Sequence, residues 1–470
     1  MIGNATFAND SPDPDLQSIV MPLLPPPALL QQTLRAVARR YRLPALSETG
    51  EAGPSATLAT VIEQARLALA RGESPDATLK RLFVDALARL IHDAMRVDAG
   101  DPVFQAMLLR HRVTHVREYA SLSARAEQDR RPVLASVNAL AHPRKPQSEG
   151  MAKLHALASS SSWSALHDAV QQLLDLPAIP DDTPTRHRLS RLADSPELER
   201  LRRLETLASD ALVRQYRTLW DRHGPRSGTA AAAAQGVDAQ RRGTAVEALT
   251  ARALQALARG LNEADGTGAP YRVVTSMRVP ASMPATHERA KTEWDAVLLR
   301  QAETIVDAPA WDICLLAEAK ASADAATTDF PRLLRGMRLL AQADATVIYD
   351  FETREGVVRL RGASLSTLPT DETALADTVL YCSNAPAEAT PRLLSAASRM
   401  QLLSAQASLD FAACVAETQH ADTRSLEPVW QQLVESPRWA AVLNQYAVMR
   451  EVRELMVHPE DLLAAIDSPD

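Results

Sequence analysis

A chain of 470 residues with 46% hydrophobic and 23% charged content is long enough for two or three domains with sizeable cores, and its composition is that of an ordinary globular protein. The net charge of -7 excludes a protein that coats nucleic acid through its whole surface, though not one with a local basic groove. The three cysteines, Cys314, Cys382 and Cys414, lie far apart with no Cys-x-x-Cys pair, which excludes a zinc ribbon or a disulfide framework.

Residues 1–27 read as a disordered leader closing on Pro25-Pro26-Pro27. Residues 1–15 are polar and carry Asp where a Sec signal has Arg, and no apolar run is long enough to span a bilayer. The expected location is therefore the cytoplasm, with secretion into a target cell by a specialised bacterial system as the alternative. Residues 28–228 form a predicted helical region: 28–41, with Leu30, Leu34 and Val37 at helical spacing, then 57–119, 163–176 and 195–220. A loop is expected at 49–55. Gly224-Pro225-Arg226-Ser227-Gly228 and the alanine run 230–234 mark the join to the next domain, although an alanine run equally extends a helix.

The central domain is expected at 236–369. A helix over 242–259, closed by Gly260, carries Val246, Leu249, Ala253 and Leu257 on one stripe. Glu247 lines up with Ala251, Leu254 and Ala258, so it falls on a face expected to be buried. A strand at 271–279 leads into a loop, 280–292, bearing His287 and Lys291. Strands at 293–299 and 311–320 follow, joined by a turn at 307–309. Next come a small, polar loop at 321–328 and a helix at 330–343 capped by Asp329, with Arg332, Arg335 and Arg338 at three-residue spacing. That row suits phosphate contacts on a duplex, or a plain solvated face. Strands at 346–351 and 357–365 complete the domain. Residues 370–470 are mainly helical, with an extra strand at 378–382.

The strands at 293–299 and 311–320 are apolar on both faces, as strands in a covered sheet are. A charge there is costly without a partner or a metal. Yet Asp295 lies inside one, and Glu318 and Lys320 end the other, pointing to the same face with Ala319 turned away. Two carboxylates beside one ammonium suit a divalent hard cation and a group that steadies an attacking water. Only Lys80, Lys145, Lys153, Lys291 and Lys320 are lysines in a chain that otherwise uses Arg, which gives the compact ammonium at Lys320 added weight. The plain alternative is that Glu318 and Lys320 neutralise each other at a solvent-facing edge while Asp295 merely starts a strand.

The order Asp295, then Glu318-x-Lys320 on the following strand, within a sequence of helix, strands, helix and strand, resembles the PD-(D/E)XK nuclease superfamily over about residues 240–365. Trp294 stands where the family's name has Pro. The resemblance implies an α+β or α/β fold, a restriction-endonuclease-like core with a mixed central sheet and flanking helices. It implies metal-dependent hydrolysis of phosphodiester bonds, of DNA before RNA. Mg²⁺ or Mn²⁺ would be held by Asp295, Glu318 and the backbone carbonyl of Ala319, and Lys320 would orient the water and stabilise charge on the phosphate. Arg242-Gly243-Thr244-Ala245-Val246-Glu247 is similar to a helix segment of several branches, which implies that Glu247 supports the water or a second metal. The plain alternative is a helix Glu paired with Arg242 or Arg252.

Competing constellations are poorer. His111 and His115 share a helix face, but their neighbours are arginines and no Glu follows the first His. There is no Walker loop, Gly-x-Gly-x-x-Gly or Gly-x-Ser-x-Gly, and 4% aromatic content is thin for stacking single-stranded bases. Two other classes remain: an inactive nuclease fold used as an interaction module, and a helical adaptor or secreted effector with a central scaffold, its flanks contacting a protein partner. No membrane partner is expected; an oligomer is compatible.

Overall fold

Runs of Val, Ile, Leu and aromatic residues make strands where helices cover them on both sides, and that condition is met in the middle of this chain. The computed structural model describes residues 23, 25–46, 53–140, 149–175, 183–223, 229–266, 270–284, 286–302 and 309–467. Most of the expected leader, most of the loop at 49–55, the join at 224–228 and the start of the turn at 307–309 lie outside the described residues. The described chain is an α+β protein. Its strands are β1 (Tyr271–Arg278), β2 (Glu293–Gln301), β3 (Trp311–Ala319), β4 (Ile348–Thr353), β5 (Gly356–Arg361), β6 (Val379–Cys382) and β7 (Met456–Val457), joined in one sheet.

β1, β2 and β3 form an antiparallel meander, with Val274 opposite Val297 and Ala296 opposite Ala317. β6 runs parallel to β3, from Leu316 opposite Val379 to Ala319 opposite Cys382, and β7 continues parallel to β6. β4 and β5 are a hairpin turning at Gly356, whose φ of 107° suits a residue without a side chain. In the strand ladder the hairpin pairs with β1 at Glu352 and with β3 at Leu360.

One face of the sheet packs on the helix Ala323–Leu340 through Ala326, Phe330, Leu333, Met337 and Leu340, against Trp294, Val297, Leu316 and Tyr381. The other packs on the long helix Ala230–Asp265 through Ala253, Leu254, Leu257 and Leu261, with Leu30 and Leu34 of the helix Ala28–Ala36 beside them. Tyr41 is also tied to the sheet, donating its hydroxyl to the Ser383 and Ala385 carbonyls at 2.9 and 2.7 Å.

The chain divides into two compact units, each drawn from separate stretches of sequence. The sheet unit comprises residues 1–74, 234–398 and 440–470, and the helical unit residues 75–233 and 399–439. This redraws the expected boundaries. The N-terminal helices up to residue 74 belong with the sheet, because Leu30, Leu34 and Tyr41 lose their apolar surface there. The expected C-terminal helical region is split, because 399–439 packs elsewhere. The helical unit has its own cores, one around Val133, Leu154, Trp163, Leu166, Leu189 and Leu198, and another around Val116, Val213 and Tyr216.

Three local expectations are corrected. The helix closed at Gly260 instead runs to Asp265, and Gly266, with φ 65°, is the residue that leaves it. Residues 321–328 are not a loop: Ser322 accepts the Ala325 N–H on its hydroxyl, and the helix starts at Ala323, so Asp329 lies inside a helix and does not cap one. The strand at 357–365 stops at Arg361, and Gly362–Ser366 is a short helix. Gly362 fits there because a Cβ would lie 1.8 Å from the Asp344 carbonyl oxygen.

Candidate active site at the head of β2 and the end of β3

The β2–β3 register sets the site. Ala296 faces Ala317, so one step further Asp295 faces Glu318, and residues directly opposite in an antiparallel pair share a face. Side chains replace the ladder there: the Asp295 N–H donates to Glu318 Oε1 at 3.4 Å, and the Ala319 N–H donates to Asp295 Oδ2 at 2.8 Å. On β1, Ser276 falls out of the ladder between the Thr275–Ala296 and Met277–Trp294 pairs, with φ 50°. A non-glycine residue held there costs about 1–3 kcal/mol, a strain that concentrates at functional sites.

Glu318 is completely buried, not at a solvent-facing edge. Lys291 Nζ lies 2.6 Å and Lys320 Nζ 3.1 Å from the same oxygen, Oε2. Lys320 also reaches Asp329 Oδ2 at 3.5 Å, and the Tyr381 hydroxyl donates to that oxygen at 3.3 Å. Burial pushes the Glu318 carboxyl up to about 7, the negative charge of Asp295 adds to the shift, and the two lysines pull against it. Burial alone would lower Lys320, but the carboxylates of Glu318, Asp329 and Asp295 outweigh it and hold its ammonium above the usual value. Burial and the charge of Asp329 likewise raise the Tyr381 hydroxyl, which therefore stays a donor. Lys320, with 19% of its side chain exposed against 5% for Lys291, is the ammonium that meets solvent.

Lys291 is set by backbone contacts. Its N–H donates to the Arg332 carbonyl at 3.1 Å, and Gly336 lets the helix Ala323–Leu340 close on it: a Cβ on Gly336 would sit 2.7 Å from Lys291 Cβ and 2.9 Å from its carbonyl oxygen. Its Nζ lies 5.7 Å from the ring centroid of buried Trp294.

The structure brings Asp295, Glu318, Ala319 and Lys320 together. It does not bury Glu247, which is exposed although Val246 beside it is buried: along the stripe of Glu247, Ala251, Leu254 and Ala258, full burial begins only at Leu254. Buried Thr250, three residues on, donates to the Val246 carbonyl at 2.8 Å. Arg332, Arg335 and Arg338 are exposed; Arg335 Nε donates to the Arg289 carbonyl at 2.8 Å and Arg338 Nε to that of Thr370 at 3.2 Å. His111 pairs with Asp410 at 2.8 Å.

Sequence reasoning missed Lys291, Asp329 and Tyr381 as members of this cluster. The scarcity of lysine that marks Lys320 marks Lys291 equally, two residues before β2; Asp329 and Tyr381 carry no such signal. Among the described residues no three His, Cys, Asp or Glu side chains converge on one metal position. The second oxygen of Asp295 accepts no hydrogen bond from the described residues, and Glu318 Oε1 has only the long contact from Asp295. Two such carboxylate oxygens on facing strands fit a small hard cation that completes its shell with water, as Mg²⁺ does. Comparison of the chain with family models, curated proteins and solved structures gives no match.

Proposed function

We propose that this protein is a metal-dependent nuclease with a PD-(D/E)XK-like core, acting on the phosphodiester bonds of DNA. The observation that carries the proposal is the meeting of Asp295 and Glu318 across β2 and β3 with the Lys320 ammonium 3.1 Å from the second acid. The antiparallel meander, the helix after β3 and the parallel β6 beside β3 support it, because they set the two acids and the lysine at one sheet end, flanked by a helix on each face.

Asp295 and Glu318 would hold Mg²⁺ or Mn²⁺, with the Ala319 carbonyl as a further oxygen. Such a cation, when bound, polarises a phosphoryl oxygen and lowers the pKa of bound water. The chain's own part is placement and charge. Asp295 is locked by the Ala319 N–H, and Lys320, held between Glu318 and Asp329 and partly exposed, presents an ammonium where negative charge grows on the scissile phosphate. Exposed Arg332 and Arg335 would contact flanking phosphates, and exposed Glu247 would orient water from the long helix.

The test is incubation of purified protein with plasmid DNA and with RNA, in Mg²⁺ and in Mn²⁺, beside Glu318→Ala and Lys320→Ala. Cleavage by the wild type that both variants lose supports the enzyme. Equal activity in all three is contamination and ends the proposal.

A further inference from the structure

Glu318 is served by more positive charge than its strand motif supplies. Lys320 arrives from the same strand, two residues on, but Lys291 comes from the loop before β2 and reaches the same oxygen at the shorter distance of 2.6 Å. Its side chain is 5% exposed, so it has no second life as a surface lysine. A buried ammonium is costly unless paired, and Lys291 is paired with Glu318 Oε2. Its backbone is fixed independently, by the Arg332 carbonyl and by close approach to Gly336, so Lys291 is placed by the fold and not drawn in by the acid.

We infer that Lys291 is a positioning residue: an internal counter-cation that occupies Glu318 Oε2 and leaves only Oε1 to face Asp295, making Glu318 a one-oxygen ligand. This rests on the proposed nuclease reading. Partners behind a metal ligand are usually carboxylates or carbonyls, which strengthen the ligand, and losing them weakens metal binding. An ammonium in that place does the reverse. It competes with the cation for the carboxylate, and it fixes which oxygen is offered. Removing it therefore has two opposed effects. Cation affinity rises, because one of the two repelling charges is gone and Oε2 keeps only the longer contact from Lys320. Turnover falls, because the cation and the carboxylate no longer hold one geometry.

The experiment compares wild type with Lys291→Met, which keeps the length and apolar stem of the side chain beside Trp294. Free Mn²⁺ is titrated against each protein by electron paramagnetic resonance, and plasmid cleavage is followed at saturating Mn²⁺. The expected result is tighter Mn²⁺ binding by Lys291→Met together with a fall in kcat of about 10- to 100-fold, the usual range for a partner behind a ligand. A lysine with a merely structural role would lower the unfolding midpoint without tightening Mn²⁺ binding, and that result overturns the inference. So does unchanged or weaker affinity in the folded variant. Should Lys291→Met fail to fold, Lys291→Gln, neutral and polar, carries the same titration. Wild type that binds no Mn²⁺ and cleaves nothing sinks the nuclease reading and this inference with it, whereas wild type that binds and cleaves beside an indistinguishable Lys291→Met sinks this inference alone.

Discussion

β3 carries two buried carboxylates, and their surroundings differ. Near its start, Asp312, 4% exposed, receives Arg361 Nε at 2.7 Å on one oxygen and a second bond from the same guanidinium on the other. One planar cation meets one planar anion, and each carboxylate oxygen has its own donor. At the far end, among the described residues, Glu318 has two ammoniums on one oxygen, only a long backbone contact on the other, and a second acid facing it. The first arrangement is closed and ties β3 to the end of β5, where Trp311 meets Leu360. The second is crowded on one side and open on the other. A pair that only stabilises completes its hydrogen bonds, whereas a cluster that acts on something else keeps an acceptor in hand.

Deleting one member at each end breaks the comparison most sharply. Lys320→Ala is expected to lower cleavage by about 10²- to 10³-fold, the loss typical of one preorganised donor at a transition state, with little change in the urea midpoint because this lysine is partly exposed. Asp312→Ala is expected to do the opposite. It leaves Arg361 largely buried without its carboxylate and costs about 3–5 kcal/mol of stability in urea unfolding, while the folded fraction cleaves at the wild-type rate. If Asp312→Ala abolishes cleavage at full stability, the division between the two ends is wrong.

Lysine placement sharpens the comparison at smaller cost. Ala in place of Gly inside a helix ordinarily stabilises by about 1 kcal/mol. At Gly336 the added Cβ would meet Lys291 Cβ at 2.7 Å and its carbonyl oxygen at 2.9 Å, backbone-adjacent atoms that cannot swing away. Gly336→Ala is therefore expected to destabilise by about 1–3 kcal/mol, measured by thermal and urea unfolding, and a gain in stability would mean that the loop carrying Lys291 is not held against this helix.

How much of this is legible in the sequence follows from which forces are local. The apolar runs of β1, β2 and β3 can be read to within two residues, because strand residues covered on both faces leave an uninterrupted pattern. That Asp295 can join Glu318 is legible on the condition that the two adjacent strands pair, but their register, which shifts between Leu298 and Leu299, is not. Asp329 reads as a cap because the Ser322 cap and the alanine-rich turn that precede it look like a loop in sequence. Glu247 reads as buried because helical periodicity marks the apolar side of a helix but not how far along the sheet covers it. The interleaving of the two units is invisible, since packing of residues 399–439 with 75–233 leaves no local mark. β7, with two residues, is too short to carry a pattern.

The smallest effects come from the thiols, which report on both ends of β3 without mutation. Cys314 lies two residues after Asp312, and Cys382 pairs with Ala319 beside the cluster. Burial lifts each from an ordinary value near 9 up to about 12; Asp312 adds to the rise at Cys314, and Glu318 and Asp295 add to it at Cys382. The thiolate is the reactive form, so at pH 8 each buried thiol is about a thousandfold less ionised than an ordinary one, and raising the pH towards 10 restores little of it. Exposed Cys414 is therefore expected to take up maleimide first, Cys314, partly accessible, slowly, and fully buried Cys382 last. Peptide mass spectrometry along a urea series separates the two slow sites. Labelling of Cys382 should follow global unfolding with a steep urea dependence, and labelling of Cys314 should have a shallower one, because partial exposure lets it react through local opening. Cys382 reacting as fast as Cys414 in native protein would mean that β6 does not close over the end of β3, and that Glu318 sits in water, where two ammoniums on one oxygen would have nothing to hold in place.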